Sequence, residues 1–300
     1  LVSYGVALAK QTNSQAIALS IGNVSDEELK TLGKFGVNKI ISIENENLKV
    51  LDNKIFSKTM SQVAEKESVK TFIFAHNNEG KAIAPRIAAK FKAALIAGVG
   101  ELPKSINPFI IPKKVFTGKA IANIKINSDV KVITLLQNTF GLVENHVEAS
   151  IEKFQTEVSQ PTVKVIDQNK ITGKVLLTDA EIVVSGGRGM KSGDNWAGIE
   201  ELADVLGAGT ACSRPVSDEG WRPHAEHVGQ TGKIIAPNLY FALGISGAIQ
   251  HLGGVSNSKC IVAINTDKDA PIFEAADYGI IGDVHKILPE LIQEVKKFKS

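Results

Sequence analysis

The sequence predicts an α/β protein with two α/β domains. Three observations support this fold class. The chain has 300 residues, which is enough for two domains. Short β-branched runs alternate with amphipathic stretches of helical length, which is the pattern of parallel sheets covered by helices. This alternation stops around residues 150–172, where the chain is polar and contains one proline, and then resumes.

The first domain is predicted to begin with a helix, because LVSYGVALAK places Val2, Val6 and Ala9 on one face. A βαβ chain would put a strand before this helix, so we expect a strand upstream of Leu1 and leave a targeting peptide there open. AIALS, KIISI, TFIFAH and AALIA are strand-like, and SDEELKTLGKF and NKIFSKTMSQVAEK between them are helical, the first with a capping box of Ser25 and Glu28. This order favours a nucleotide-binding-like (Rossmann-like) sheet.

Two further strand-like stretches, KKVFTGKAIANIKI and VKVITLL, come in near succession. Such a succession predicts an antiparallel edge or a hairpin, because it leaves no room for a crossover helix. The polar stretch that follows is the approach to a domain boundary, and we place the domains at residues 1–169 and 170–300.

The second domain resumes the alternation and is predicted to hold a parallel sheet. AEIVVSGG, KCIVAIN and ADYGIIGD are predicted to be buried strands, and NWAGIEELADVLGA, GAIQHLGG and VHKILPELIQEVKKF to be helices. The last helix carries an apolar stripe with the helical period. The residues of this stripe are Val284, Ile287, Leu288, Leu291, Ile292 and Val295.

The composition argues against several classes of function. Its 34 Lys and Arg against 32 Asp and Glu give a net charge of +2, which lends no support to nucleic-acid or anionic-membrane binding. No apolar run approaches the roughly 18 to 20 residues of a membrane span. The two cysteines, Cys212 and Cys260, form no metal or redox motif, which indicates a reducing compartment and a packing role.

Glycine-rich turns follow two strands of the second domain, in VVSGGRGM and in LYFALGISGAIQHLGG. Ligands of open α/β sheets lie beyond the carboxyl ends of the strands, where small residues let a diphosphate approach backbone N–H groups. Two such turns predict a long, dinucleotide-like ligand, although glycine after a strand also serves plain packing. The polar segment between them, GTACSRPVSDEGWRPHAEHVGQTGK, is predicted to be a binding loop.

Other polar residues of this domain carry weaker signals. Arg188 and Arg214 are cations near the glycine turns, with surface ion pairs as the alternative role. His224 and His227 have a spacing that could pair them on a metal, but no cysteine or carboxylate cluster surrounds them, so we expect solvated loop histidines. Trp221 has no assigned role; a partner surface is one place where tryptophan is enriched.

Taken together, these motifs resemble the α subunit of electron transfer flavoprotein. VVSGGRGM, GTACSRP, VGQTGK, GISGAIQH, IVAIN and PIFEAADYGIIGD follow one another in the order of that family, over residues 172–300. Over the first domain the spacing matches better than the residues do. The resemblance implies a C-terminal domain that binds FAD and a chain that carries electrons rather than an enzyme that turns over a substrate.

The resemblance also implies which residues hold FAD. Thr231 would hydrogen-bond flavin N5, His251 would lie by flavin N1 and O2, and Arg214 would lie over the ring. A donor or cation by N1 and O2 would stabilise the negative charge that a reduced flavin gathers there. Asn265, Asp283 and Val284 would lie toward the adenosine end. The full implied set is Arg188, Ser213, Arg214, Val228, Gly229, Gln230, Thr231, Ser246, Gly247, Ala248, Ile249, Gln250, His251, Asn265, Asp283 and Val284.

The implied partners follow from the same resemblance. The first domain would pack with a β subunit that holds AMP, giving a heterodimer. Acyl-CoA dehydrogenases of fatty acid β-oxidation would donate electrons, and a membrane quinone oxidoreductase would accept them. The chain itself would not be membrane-embedded, and it would work in the bacterial cytoplasm or in the mitochondrial matrix.

Alternatives remain. An electron-bifurcating subunit linked to NADH is a variant within the family. A non-redox regulator that binds an adenine nucleotide is a candidate from another class. An NAD-dependent dehydrogenase would need G-x-G-x-x-G with an acidic residue about 20 positions on, and the sequence lacks that pairing.

Overall fold

The computed structural model describes residues 1–167 and 175–299, and it divides into two compact units. The first unit is Leu1–Val115 with Ile121–Asn169, and the second is Phe116–Ala120 with Lys170–Ser300. Part of the predicted boundary stretch, residues 168–174, lies outside the described residues.

The first unit alternates strands and helices as the sequence predicts. Ser25 accepts a hydrogen bond from the Glu28 backbone nitrogen at 3.2 Å, which confirms the cap of the second helix. In chain order the elements are α1 (Val2–Gln11), β1 (Ile17–Ile21), α2 (Asp26–Lys30), β2 (Lys39–Ile43), α3 (Asn53–Lys66), β3 (Thr71–Ala75), α4 (Asn78–Lys90), β4 (Ala94–Val99), β5 (Ser105–Ile106), β6 (Phe109–Val115), β7 (Ala120–Ile126), β8 (Lys131–Leu135) and β9 (Ser150–Lys153).

These strands form three small sheets rather than one. β1, β2 and β9 are parallel neighbours, and β8 lies between β3 and β4, parallel to both. β5, β6 and β7 form a third sheet, in which β5 and β6 pair antiparallel. Apolar side chains of α1 and of β4, β6 and β8 share a core cluster that includes Tyr4, Ile96, Ile111 and Ile133.

Two details of the first unit differ from the prediction. KKVFTGKAIANIKI supplies two neighbouring strands by itself, β6 and β7, whereas VKVITLL does not join them and becomes β8, at the centre of a parallel sheet. β9 was missed, because four residues are too short for a periodic pattern to show. The hydrogen bonds of β9 go to β2, a strand more than a hundred residues earlier in the chain.

The second unit is built on one five-stranded parallel sheet with helices on both faces. Its strand order is β11-β10-β12-β13-β14. The elements are β10 (Ile182–Gly186), α5 (Ala197–Leu206), β11 (Gly209–Cys212), α6 (Arg214–Asp218), β12 (Leu239–Leu243), α7 (Ile249–Val255), β13 (Cys260–Asn265), α8 (Ile272–Ala275), β14 (Tyr278–Ile281) and α9 (Val284–Lys299).

Helix α9 packs as its sequence predicts. Val284, Leu288 and Ile292 are buried, and Ile287, Leu291 and Val295 are half-buried against the same core cluster. The prediction of a buried strand was wrong for β14, whose four residues are all exposed. β14 lies at the end of the strand order, where β13 is its one neighbour among the described strands.

Candidate functional site

A cleft of about 500 Å³ is formed by loops at the carboxyl ends of the second unit's strands. The chain leaves β10 toward β11 on one side, then returns to place β12 on the other side of β10. The strand order therefore reverses between β10 and β12, and ligands of open α/β sheets bind at such a point. Residues after β10, β11 and β12 and the last residue of β13, Asn265, contribute to its walls.

Most of the predicted site residues line this cleft. They come from five separate stretches of sequence, which the strand order brings to one edge of the sheet. The lining includes Arg188, Ser213, Arg214, Val228, Gly229, Gln230, Thr231, Ser246, Gly247, Ala248, Gln250, His251 and Asn265.

Three of the predicted residues do not line it. Val284 is 3% exposed and belongs to the hydrophobic core. Asp283 caps α9, where its carboxylate accepts a hydrogen bond from the His285 backbone nitrogen at 3.0 Å. Ile249 begins α7 with its side chain exposed. The cleft therefore lends no support to these three as ligand contacts.

Five further residues complete the lining and were not predicted: Gly189, Pro215, His227, Gly244 and Ile245. Four of them lie inside the motifs that carried the resemblance, within two positions of a predicted residue, so sequence proximity was the available signal. His227 lies one position before the VGQTGK motif.

The two arginines of the cleft have different surroundings. Arg214 Nε lies 3.2 Å from Asp218 Oδ2, so the alternative role of a surface ion pair applies to it. Arg188 is exposed and forms no ion pair or side-chain hydrogen bond with any residue that the structure describes. It is thus a cation at the cleft whose charge is available to an anionic ligand.

His251 lies at the buried end of the cleft. Its side chain is 7% exposed, and its Nε2 is 2.8 Å from the hydroxyl of Tyr240, which is fully buried. Burial lowers the pKa of His251 to about 4, and the Val228 backbone acts in the opposite direction. His251 is therefore neutral at pH 7 and can offer a ligand a hydrogen bond but not a positive charge.

The expectation of solvated loop histidines was wrong for His227. His224 is exposed, but His227 is 3% exposed and lines the cleft. A Cβ added at Gly232 would lie 2.8 Å from His227 Nδ1, so the imidazole fills space that a side chain at position 232 would need. Burial lowers the pKa of His227, which keeps it neutral. Among the described residues no group of three or more His, Cys, Asp and Glu is arranged to hold a metal.

The glycines of the two turns serve chain packing. A Cβ at Gly187 would lie 2.2 Å from the Gly244 carbonyl oxygen, so the loop after β10 rests directly on the loop after β12. Gly247 has φ +85°, and a Cβ there would lie 2.3 Å from the Ile272 backbone nitrogen. These positions exclude side chains because backbones meet there, which differs from the predicted role of admitting a diphosphate.

The segment before the cleft-lining residues 228–231 is held by Arg222. Its guanidinium donates to both carboxylate oxygens of Glu226 at 2.8 Å and to Glu200 at 2.8 Å, and it lies 5.6 Å from the Trp196 ring centroid. Trp221, a candidate for a partner surface, is half-buried and packs against the core of the second unit. Cys212 is fully buried in the same core, as its predicted packing role requires.

Comparison with known proteins covers both units. A family model described as "Electron transfer flavoprotein domain" matches residues 1–166, and one described as "Electron transfer flavoprotein FAD-binding domain" matches residues 176–256. Asn265, Asp283 and Val284 lie beyond the second match. No helix in the described part of the chain is long and apolar enough to cross a membrane.

Curated relatives carry the same description. The chain is 35% identical to the electron transfer flavoprotein subunit alpha of Bacillus subtilis (strain 168), over 95% of this chain and 89% of that protein. It is 42% identical to the subunit of the same name from Bradyrhizobium diazoefficiens, over 72% of this chain and 69% of that protein. It is 38% identical to the mitochondrial subunit of Dictyostelium discoideum, over 82% of this chain and 71% of that protein.

Proposed function

The chain belongs to the electron transfer flavoprotein family, as one of its α subunits, and on that premise we propose that it binds FAD in the cleft of its second unit and relays electrons between redox partners. The observation that carries the proposal is the composition of the cleft. Arg188, a cation that has no partner among the residues the structure describes, and His251, a buried neutral imidazole, lie in one crevice at the point where the strand order reverses.

The lining fits the chemistry of FAD. A volume of about 500 Å³ is within the usual range for ligand pockets. His251 Nδ1 is buried and has no hydrogen-bond partner among the described residues, which is the state expected of a group that awaits a ligand. Val228, Ile245 and Pro215 give the cleft apolar surface, while Gln230, Thr231 and Ser246 supply hydrogen-bonding groups at its exposed side.

FAD, when bound, supplies a ring that takes up and releases electrons, with negative charge gathering at its N1 and O2 edge. We assign His251 to that edge, where a neutral N–H donor stabilises the charge and the buried setting strengthens the interaction. Arg188 is assigned to the diphosphate and Arg214 to the face of the ring. Thr231, at the exposed rim, would hydrogen-bond N5. Membership of the electron transfer flavoprotein family supports the proposal that the chain is a carrier of electrons.

The proposal also covers the proteins with which the chain would assemble and exchange electrons. The chain would form a heterodimer with a β subunit, which would hold AMP. Acyl-CoA dehydrogenases would supply the electrons and a membrane quinone oxidoreductase would accept them, in the bacterial cytoplasm or the mitochondrial matrix. What supports these assignments is family membership and the bacterial and mitochondrial relatives.

The experiment that tests the function is cofactor analysis of the full chain produced with its β partner. The purified complex should be yellow, with flavin absorption bands, and mass spectrometry of the released cofactor should identify FAD in a 1:1 ratio with this chain. A complex that is colourless and takes up no added FAD would overturn the proposal, and a bound adenine nucleotide without flavin would favour the non-redox regulator instead.

A further inference from the structure

A buried tyrosine lies behind the histidine of the cleft. Tyr240 belongs to β12, in the middle of the five-stranded sheet, and its side chain is 0% exposed. Its hydroxyl oxygen is 2.8 Å from His251 Nε2. The two residues are eleven positions apart, and the loop through Gly244 and Gly247 folds the start of α7 back over the end of the strand to make the contact.

The direction of this hydrogen bond follows from where the phenol proton can go. Burial raises the pKa of Tyr240 far above its usual range, so the phenol keeps its proton and must donate it. Ser185 is the other polar side chain beside it and acts in the opposite direction on that pKa. A hydroxyl that lowers the pKa of a phenol does so by donating toward the phenol oxygen, so Ser185 is not the acceptor of the phenol proton, and its oxygen has no partner with hydrogen-bond geometry among the described residues. His251 Nε2 is therefore the acceptor of the phenol proton.

The proton of the His251 imidazole must then be on the other ring nitrogen. A neutral imidazole carries a single N–H, so a ring that accepts at Nε2 must be protonated at Nδ1. His251 Nδ1 is buried and has no hydrogen-bond partner among the described residues. The Val228 backbone raises the pKa of the ring, as a nearby hydrogen-bond acceptor does, but no contact from Nδ1 to it has the full geometry of a hydrogen bond.

We propose that Tyr240 is a positioning residue that holds His251 in the tautomer protonated on Nδ1, and thereby presents an N–H donor to the ligand of the cleft. The part of this inference that concerns a flavin rests on the proposed function. Without the phenol, His251 is free to carry its proton on Nε2. It would then turn a lone pair at Nδ1 toward an edge of the cofactor that gathers negative charge, which weakens rather than strengthens the interaction.

The tautomer can be measured directly. In the full chain with its β partner, labelled with ¹⁵N-histidine, His251 is assigned from the signals lost in His251→Gln. At pH 7 we expect a protonated Nδ1 and an unprotonated, hydrogen-bonded Nε2. Tyr240→Phe should shift the ring toward the Nε2-protonated form. A wild-type His251 that is protonated on Nε2 would overturn the proposal, whatever the outcome for Tyr240→Phe.

Tyr4→Phe is the matched control. Tyr4 is also 0% exposed and also donates a hydroxyl hydrogen bond, to the Glu101 carbonyl at 3.1 Å, but it lies in the first unit. Both substitutions remove one buried phenolic hydroxyl. Only Tyr240→Phe should alter the His251 signals, so a general effect of losing a buried hydroxyl is separated from the specific one.

The consequence for the cofactor is measured in the same variants. Tyr240→Phe should weaken FAD binding roughly three- to tenfold and make the reduction potential of the bound flavin more negative, whereas Tyr4→Phe should change neither. If wild-type protein takes up no FAD, the proposed function fails, while the tautomer assignment is still decided by NMR. If FAD binds but Tyr240→Phe matches Tyr4→Phe in affinity and potential, the positioning role fails and the proposed function stands.

Discussion

Asp52 fixes Thr162 in the first unit through a single carboxylate oxygen. Asp52 Oδ2 accepts hydrogen bonds from the Thr162 backbone nitrogen at 2.8 Å and from its hydroxyl at 2.6 Å. The other oxygen caps α3 by accepting from the backbone nitrogens of Lys54 and Ile55. One side chain, 4% exposed, thus joins the start of a helix to a segment about a hundred residues later.

Asp52→Ala should lower the free energy of unfolding of the first unit by about 1 to 3 kcal/mol, because it removes a helix cap and two long-range hydrogen bonds.

The hydrogen bonds from Thr162, followed by those from the helix, hold the Asp52 pKa at about 2, below its ordinary 3.8. A lowered carboxylate pKa means that the stabilisation is complete above about pH 4 and is lost as the pH falls toward 2. Denaturant unfolding at neutral and acid pH checks both statements. Asp129→Ala, at an exposed position of the same unit, should have little effect, and an equal loss in both variants would contradict the prediction.

Arg188→Ala should weaken FAD binding at least roughly tenfold, since it removes the unpaired cation of the cleft. FAD retention after dialysis, followed by titration of the flavin-free protein, measures the change. Arg86→Ala removes an exposed arginine of the first unit and serves as the control. Full FAD occupancy of Arg188→Ala after dialysis would argue against the assignment.

Arg222→Ala should destabilise the second unit by about 2 to 4 kcal/mol, because Glu226, with only 12% of its side chain exposed, loses its partner. The residues 228–231 that follow should become less ordered, so FAD affinity should fall as well. Thermal unfolding and flavin titration report the two effects. Lys296→Ala breaks an ion pair whose side chains are about half exposed, Lys296 with Glu201, and should cost less than about 1 kcal/mol. If both variants behave alike, the anchoring role of Arg222 is wrong.

His251 should make the flavin-free second unit sensitive to mild acid. Its folded pKa of about 4 lies below the ordinary 6.5, because burial disfavours the charged ring. The unfolded state therefore binds a proton first, so stability is complete above about pH 6.5 and falls progressively as the pH drops toward 4. His251→Gln should flatten this dependence by about 1 to 3 kcal/mol in unfolding experiments over that range. His146→Gln, at an exposed histidine, should leave the dependence unchanged; an unchanged slope in His251→Gln would show that another group causes it.

The two cysteines should differ in reactivity. Burial, followed by the charge of Glu226, raises the pKa of Cys212 to about 12, so almost no reactive thiolate forms at neutral pH. Cys260 is half-buried and more accessible. A thiol reagent such as Ellman's should modify one thiol per native chain and two after denaturation, and Cys260→Ser should leave the native protein unreactive. Two rapidly reacting thiols in native protein would contradict the burial of Cys212.

Features that are set by residues close together in the sequence could be predicted, whereas features that depend on contacts between distant parts of the chain could not. The stripe of α9 and the cap at Ser25 are local, and both were predicted. β11 was missed because GTAC is only four residues long and is stabilised by pairing with β10. The exposure of β14 depends on strand order, which its own apolar residues do not reveal.

The residues of the candidate site likewise divide into those that local motifs predicted and those that depend on long-range contacts. Motif resemblance brought most of the lining together, because the motif residues lie in the loops that the strand order places at one edge. The burial of His227 depends on how Gly232 folds against its ring, and the partner of His251 depends on the path of the chain through Gly247. Neither contact is encoded in a period or a spacing, so both needed the three-dimensional arrangement.

The strand order of the second unit also sets when, during synthesis, the cleft can form. β10 lies beside β12, which leaves the ribosome some fifty residues later, and the amide of Asn265, at the end of β13, donates to the Ile245 carbonyl in the cleft wall at 3.0 Å. A nascent chain that stops before β13 has the glycine turns that follow β10 and β12 but lacks both the outer neighbour of β12 and this support. We therefore expect the cleft to close, and a ligand to be held there, only after β13 has been synthesised.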